Sequence, residues 1–393
     1  MAVCDFNEVT TADEQAASPT TGNGQPLLLP EGVPPLRSFY LYMSNSCNLK
    51  CRHCWITPKF VNGKASPGDV IDVEALRDAV SEAKLLGLRN VKLTGGEPML
   101  HPRFMEIVDM LTAEGLGMNV ETNGTLLTAG VARYLKEETN VSFVSVSIDG
   151  ADANTHDPFR GVPGSFETVL RGLGYLVEAG YTNTQVIMSV HRGNLGQIED
   201  VVQLASGRGA ASVKFNPITN DGRGEKMHDR GETLDFDGIL TLADYVRGEL
   251  QERVPIRLVL NIPPALTPIP VLWRTRGTTG DCGVSSILGM LGTGEIALCG
   301  IGRTIPELVY GRLGEDSIRK LWLTHPMILE LRRALDDVRN YPDICGQCIH
   351  AKTCRTGCVA NHYVDDRRLV WPGTLCVEAA RRGKFPATRL RSK

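Results

Sequence analysis

Residues 38–55 read SFYLYMSNSCNLKCRHCW. The run 38–44 is short, uncharged and rich in aromatic and aliphatic residues, which marks a buried strand. It leads straight into Cys47, Cys51 and Cys54 on one tight loop, spaced as CxxxCxxC. Three thiolates so placed can hold three irons of a cubane cluster, since iron-sulfur clusters are normally bound by cysteine. The fourth iron then lacks a protein ligand. Zinc is the competing occupant, and it would recruit a fourth Cys or His nearby. His53 is at hand, but its place between two of the cysteines makes joint ligation awkward.

Downstream the chain alternates β-rich runs with amphipathic helical stretches, the rhythm of parallel βα units. Strands are expected at 90–94, 117–122, 143–148, 184–190 and 211–216, with 256–261 a further candidate. Between the first two strands Asp72 caps a helix that presents Leu76, Ala79, Val80, Ala83 and Leu86 on one face. Phe166, Val169, Leu170, Leu173 and Val177 repeat that arrangement after Ser165. Six such units, without the seventh and eighth of a closed barrel, predict an α/β fold. It is a partial (β/α)6 TIM-like barrel over residues 38–261 with its site at the strand C-termini.

The flanks read differently. Residues 1–37 form an irregular N-terminal arm in which Cys4 is a spare thiol. Residues 262–281, with Pro263, Pro264, Pro268 and Pro270, are a bridge. Residues 282–378 are loop-rich, with a helical stretch near 317–336, and metal is expected to replace part of their hydrophobic core. Residues 379–393 are a basic C-terminal tail carrying Arg381, Arg382, Lys384, Arg389, Arg391 and Lys393, either solvated or attractive to an acidic peptide.

A net charge of -3 over 393 residues gives no reason to expect a nucleic acid or a membrane surface as partner. No stretch approaches the roughly 20 apolar residues of a membrane span, and no signal segment opens the chain. Eleven cysteines, tightly clustered in a chain of this length, favour metal ligation in the reducing cytoplasm over disulfides.

Thr94-Gly95-Gly96-Glu97-Pro98 follows the second strand, Glu121-Thr122-Asn123-Gly124 the third, and Ser147-Ile148-Asp149-Gly150 closes the fourth. Each alone is ordinary turn chemistry. With CNLKCRHCW they resemble the radical S-adenosylmethionine (radical SAM) superfamily. That resemblance implies a 4Fe-4S cluster on Cys47, Cys51 and Cys54 whose open iron binds S-adenosyl-L-methionine. It also implies cofactor contacts from Trp55, Gly95, Gly96, Glu97, Thr122, Asn123, Ser147, Asp149, Arg160 and Ser189, with Ser147 and Asp149 at the ribose position. No catalytic acid or base can be assigned from it.

Cys282, Gly294 and Cys299, then Cys345, Cys348, Cys354 and Cys358 as CxxCxxxxxCxxxC, and finally Cys376 resemble the seven-cysteine SPASM extension of such enzymes. The resemblance implies two auxiliary 4Fe-4S clusters, three clusters in all. Cys345, Cys348, Cys354 and Cys376 complete one. Cys282, Cys299 and Cys358 hold three irons of the other, whose fourth iron either takes Asp281 or Glu295 or stays open to substrate. Relatives with this extension commonly modify ribosomally made peptides by thioether or carbon-carbon crosslinking, epimerisation or oxidation. A peptide maturase is therefore expected, with a peptide substrate, a separate leader-recognition protein, and flavodoxin or ferredoxin as electron donor. Gly300 stands where sulfatase-maturing relatives carry a catalytic Asp, which argues against that activity. The alternatives are a radical enzyme acting on a tetrapyrrole side chain or a sugar, with the auxiliary clusters relaying electrons, and a non-enzymic redox scaffold.

Overall fold

The computed structural model describes residues 29–61, 64–66, 68–274, 283–300 and 304–391. Cys4, Asp281 and Cys282 lie outside them. The parallel strands are β1 (Ser38–Tyr42), β2 (Asn90–Thr94), β3 (Gly117–Thr122), β4 (Val141–Ser147), β5 (Gln185–Val190), β6 (Ser212–Pro217) and β7 (Arg257–Leu260). They pair in sequence order, each with the next. All six expected strands are present, and the candidate at 256–261 adds a seventh.

The sheet does not stop at the bridge. β8 (Ile287–Met290) pairs in parallel with the free edge of β1, and β9 (Glu295–Ala297) and β10 (Val309–Arg312) follow it antiparallel. The first part of the cysteine-rich extension therefore continues the barrel sheet, giving ten strands in the order β10-β9-β8-β1-β2-β3-β4-β5-β6-β7. Both faces of the parallel part are covered, as a parallel sheet requires.

Helix α1 (Val73–Leu85) shows why the local sequence folds as it does. The Asp72 carboxylate accepts the Ala75 amide at 2.7 Å, and Leu76, Ala79, Val80, Ala83 and Leu86 are all buried. Each buried leucine contributes about 1.5–3 kcal/mol relative to exposure. The helix Ala153–Arg160, here α2, ends at Gly161, and α3 (Ser165–Glu178) follows. Asp157 of α2 caps α3 from outside, accepting from Gly164 N, Ser165 Oγ and Phe166 N.

Two features of the extension depart from expectation. The helical stretch at 317–336 is two helices, Ile318–Thr324 and Pro326–Asp336. Pro326 forces the preceding His325 into an extended conformation, φ -64° and ψ 126°. The basic stretch at 379–391 divides: Arg381 and Arg391 are exposed, while others are engaged by the chain. Arg389 is buried and donates to Thr267 O at 3.1 Å, while Arg382 and Lys384 pair with Asp237 at 2.7 and 2.6 Å. Its backbone straps the Cys345–Cys348 segment: Ile349 N donates to Arg389 O and Arg391 N to Gln347 O.

Candidate active site

The cysteine loop is seated on the last turn of α2. Lys50 N donates to Arg160 O and Arg52 N to Phe159 O, both at 2.9 Å. Cys47 and Cys51 are buried and Cys54 partly so. Donors already aim at two of the sulfurs: Leu49 N at 3.4 Å and Asn123 Nδ2 at 3.8 Å from Cys47 Sγ, and Arg160 Nη1 at 3.5 Å from Cys51 Sγ. Burial pushes both thiols well above their ordinary pKa, with the Arg160 guanidinium opposing it at Cys51. Thiols so placed ionise on metal binding, and donors around the sulfur then stabilise the thiolates. The residues fit a cysteine-ligated cluster.

His53 does not complete a zinc site. Its Nε2 shares a hydrogen bond with Ser189 Oγ at 3.2 Å, and its ring stacks on Phe159 at 4.8 Å. Burial holds its pKa down at about 3.

Gly95, Gly96 and Glu97 lie against this loop. Gly96 N donates to Ser44 O and Glu97 N to Ser46 O, each at 2.8 Å, and any Cβ on Gly96 would collide with the Ser46 carbonyl. Only glycine permits that approach. The Glu97 carboxylate is fully enclosed and accepts from Thr122 Oγ1 at 2.7 Å, Asn123 N at 2.9 Å and Met99 N at 3.3 Å. Burial raises its pKa to about 7. Asn123 Nδ2 continues to Asn48 Oδ1 at 2.8 Å. The structure thus brings Glu97, Thr122 and Asn123 together as expected, but their polar groups brace the cysteine loop.

Asp149 is engaged in the same way. It has no exposed surface, its Oδ2 lies 2.5 Å from Arg160 Nε, and its Oδ1 accepts Ser189 N at 2.7 Å. Burial alone would raise its pKa, yet Arg160 and neighbouring histidines hold it below the usual range. In this arrangement Asp149 anchors Arg160 and Ser189. Ser147 sits half-buried at the end of β4.

A cavity of about 610 Å³ opens beside the loop. Trp55 and Gly95 line one side, and Cys299, Cys345, Cys354, Cys358 and Cys376 the other. The Trp55 ring meets Tyr42 edge-on at 5.5 Å. Gly300 packs under both rings, and a side chain there would require Trp55 and Tyr42 to shift. Burial pushes the Cys376 thiol up, and the Cys354, Cys345 and Cys348 sulfurs add to the effect; among the described residues no three His, Cys, Asp or Glu side chains are placed to hold a single metal ion. Glu295 pairs with Arg312 at 3.4 Å and with Thr293.

Sequence reading missed Lys92 and Lys214. Lys92 pairs with Glu121 at 2.5 Å inside the cavity, and both lysines outweigh burial to hold the Glu121 pKa down. The signal was there: a lysine amid the apolar run of a strand covered on both faces, as in NVKLT and SVKFN, requires a partner.

Residues 41–205 match the radical SAM superfamily. An AdoMet-dependent heme synthase of Methanosarcina barkeri is 30% identical over 341 residues, spanning 82% of this chain and 90% of that protein. The chain belongs to the radical SAM superfamily. It is a radical SAM enzyme with a SPASM-type extension. The mycofactocin maturase MftC of Mycobacterium tuberculosis is 27% identical over 340 residues, 86% of this chain and 81% of its own. Streptococcus suis SuiB bound to S-adenosylmethionine shares the fold with a TM-score of 0.66 at 15% identity, over 87% of this chain and 77% of that one. SuiB bound to its precursor peptide SuiA superposes equally, with a TM-score of 0.66.

Proposed function

We propose that this radical SAM enzyme is a peptide maturase, abstracting hydrogen from a ribosomally synthesised peptide to give a crosslink, an epimerised residue or an oxidised one. The observation that carries the reading is the cavity joining Trp55 and Gly95 at the barrel mouth to five cysteines of the extension. Relatives named as maturases, and SuiB with its precursor peptide, support a peptide as the occupant.

Cys47, Cys51 and Cys54 would hold the first 4Fe-4S cluster. Cys345, Cys348, Cys354 and Cys376 would hold one auxiliary cluster, and Cys299 and Cys358, with Cys282, the other. When bound, the first cluster and S-adenosylmethionine supply a 5'-deoxyadenosyl radical for hydrogen abstraction. The chain's part is placement. Arg160 and Asn123 fix the loop sulfurs, Trp55 and Tyr42 wall the cavity, and the Lys92–Glu121 pair offers a fixed dipole to a polar substrate group. A separate leader-recognition protein and a flavodoxin or ferredoxin donor belong to this reading, as does a cytoplasmic setting that keeps thiols reduced. Among the described residues no helix is long and apolar enough to cross a membrane.

A second reading is favoured by the heme synthase relatives: oxidation of a tetrapyrrole side chain. One experiment separates the two. Anaerobically reconstituted enzyme with dithionite is given short peptides from neighbouring reading frames or a propionate-bearing tetrapyrrole, and 5'-deoxyadenosine and substrate mass are followed. A peptide mass change with 5'-deoxyadenosine is expected, and Cys51→Ala lowers both by more than about a thousandfold. Turnover of the tetrapyrrole alone replaces the peptide reading.

A further inference from the structure

The cysteine loop has a second seat that the sequence motifs do not mark. Strand β6 ends at Pro217, and the chain runs through residues 218–222 into a short helix, Arg223–Asp229. Pro217, Ile218, Thr219, Asn220 and Asp221 line the cavity together with Trp55. The next two residues meet the cysteine loop itself.

Gly222 has φ 55° and ψ -122°, a conformation that favours glycine. A Cβ there would fall 2.5 Å from Trp55 Cα and 3.1 Å from Cys54 O, so the two backbones approach this closely only because the side chain is missing. Arg223 then donates three times: its N to Cys54 O at 3.2 Å, its Nη1 to Cys51 O at 3.2 Å and its Nη2 to Pro58 O at 2.9 Å. Cys51 O also accepts the Cys54 amide at 3.3 Å, which engages both of its lone pairs. The loop's amides are held separately, those of Lys50 and Arg52 by the last turn of α2. Amides on α2 and carbonyls on Arg223 together fix the course of the backbone from Lys50 to Cys54.

We propose that Arg223 is a positioning residue for the first cluster: by holding the carbonyls of Cys51 and Cys54 it sets the cysteine loop against the cavity wall formed by residues 217–221. The inference rests on Cys47, Cys51 and Cys54 carrying that cluster, and not on the identity of the substrate. A planar guanidinium suits the task, because its fork reaches two carbonyls at once where an ammonium is a single point of charge. Arg223 works through the loop backbone, whereas Arg160 acts on the Cys51 sulfur itself. Radical chemistry needs this precision, since displacing a reacting group by about 1 Å costs about a hundredfold in rate. The short connection from cavity wall to Arg223 keeps the loop in register with the place where a substrate lies.

The test compares Arg223→Met, Arg223→Lys and Gly222→Ala with wild type as anaerobic holoenzymes. Four quantities are read: iron content, S-adenosylmethionine affinity, the electron paramagnetic resonance spectrum of the reduced cluster with S-adenosylmethionine bound, and the rate of 5'-deoxyadenosine formation with dithionite. Arg223→Met is expected to keep the wild-type iron content and an affinity within about threefold, while the rate falls by about tenfold to a hundredfold. Its spectrum broadens, because the loop takes up a spread of positions. Arg223→Lys recovers part of the rate and of the line width, and Gly222→Ala, which keeps the arginine but drives a methyl group at Trp55, loses rate as Arg223→Met does. An unchanged rate and spectrum in Arg223→Met overturn the proposal. Loss of iron in step with activity, with no recovery in Arg223→Lys, also overturns it and leaves the arginine a role in folding alone. A Cys51→Ala protein that keeps the S-adenosylmethionine-responsive signal removes the cluster assignment beneath the proposal, a failure read without touching Arg223.

Discussion

Two buried arginines, Arg160 in the barrel and Arg332 in the extension, have different surroundings. Arg160 has an acid at 2.5 Å, a cysteine sulfur at 3.5 Å and a neighbouring network through Ser189 and His53. Arg332 has an aromatic face and no hydrogen-bond partner among the described residues. The barrel's cysteine loop is thus braced by a buried ion pair and the hydrogen bonds around it. The extension leaves the Arg332 cation without such a pair, although its helices are packed into the core through Ile318, Trp322, Ile328 and Leu331.

That contrast breaks most directly in a pair of substitutions. Arg160→Met strands Asp149 as an uncompensated buried charge and should cost about 3–5 kcal/mol. Adding Asp149→Asn should return most of it, because the asparagine carbonyl still accepts Ser189 N. Arg332→Met strands no acid and should cost at most about 1.5 kcal/mol. Denaturant midpoints of the anaerobic holoenzymes decide the matter. Equal losses at the two arginines would mean that the extension is as self-satisfied as the barrel.

A smaller effect tests the barrel brace by pH. Glu97 has its carboxyl raised from 4.5 to about 7 by burial, so between those values the native chain holds a proton that the unfolded chain releases. The resulting stability is full below pH 4.5 and is lost as pH rises through 7. Relative to Glu97→Gln, whose amide does not titrate, wild type should lose about 2.5 kcal/mol between pH 5 and pH 8. The same comparison has no counterpart in the extension, where no described carboxylate is fully buried. A wild-type-minus-variant difference that stays flat with pH would show that hydrogen bonds from Thr122, Asn123 and Met99 keep Glu97 ionised throughout.

How far the sequence could be read follows the same divide. The strands at 90–94 and 117–122 fall where periodicity places them, because local pattern and burial agree there. The seventh strand and the β8 addition to the β1 edge were harder, since edge pairing depends on what else reaches the edge. Motif positions identified which residues gather around the cysteine loop. Asp149 and Glu97 sit where cofactor contacts were expected, yet their oxygens are already engaged by Arg160, Ser189, Thr122 and Asn123. Spacing cannot show which face of a strand end a carboxylate turns to. The bulge at Tyr310, where Ile296 pairs with Gly311 and Ala297 with Val309, left no sequence signal, because a register shift is decided by the partner strand.

The weakest expected effect concerns the strap that closes the extension. Arg382 and Lys384 reach Asp237 at 2.7 and 2.6 Å and pass over the Phe236 ring at 5.2 and 5.9 Å. The Asp237 side chain is 52% exposed, so water and salt screen both pairs. Asp237→Asn should cost no more than about 1 kcal/mol at low ionic strength and almost nothing at high salt. The strap's seat is independent of that charge: Leu390 bridges to Cys348, and Arg389 is buried with its guanidinium on Thr267 O. Iron retention during chelator challenge should therefore be unchanged in Asp237→Asn and faster in Arg389→Met, whose substitution empties a buried position beside the Cys345–Cys348 segment. If Asp237→Asn releases iron as fast as Arg389→Met, the strap is held to the barrel by charge, and the extension depends on the barrel surface more than its buried contacts indicate.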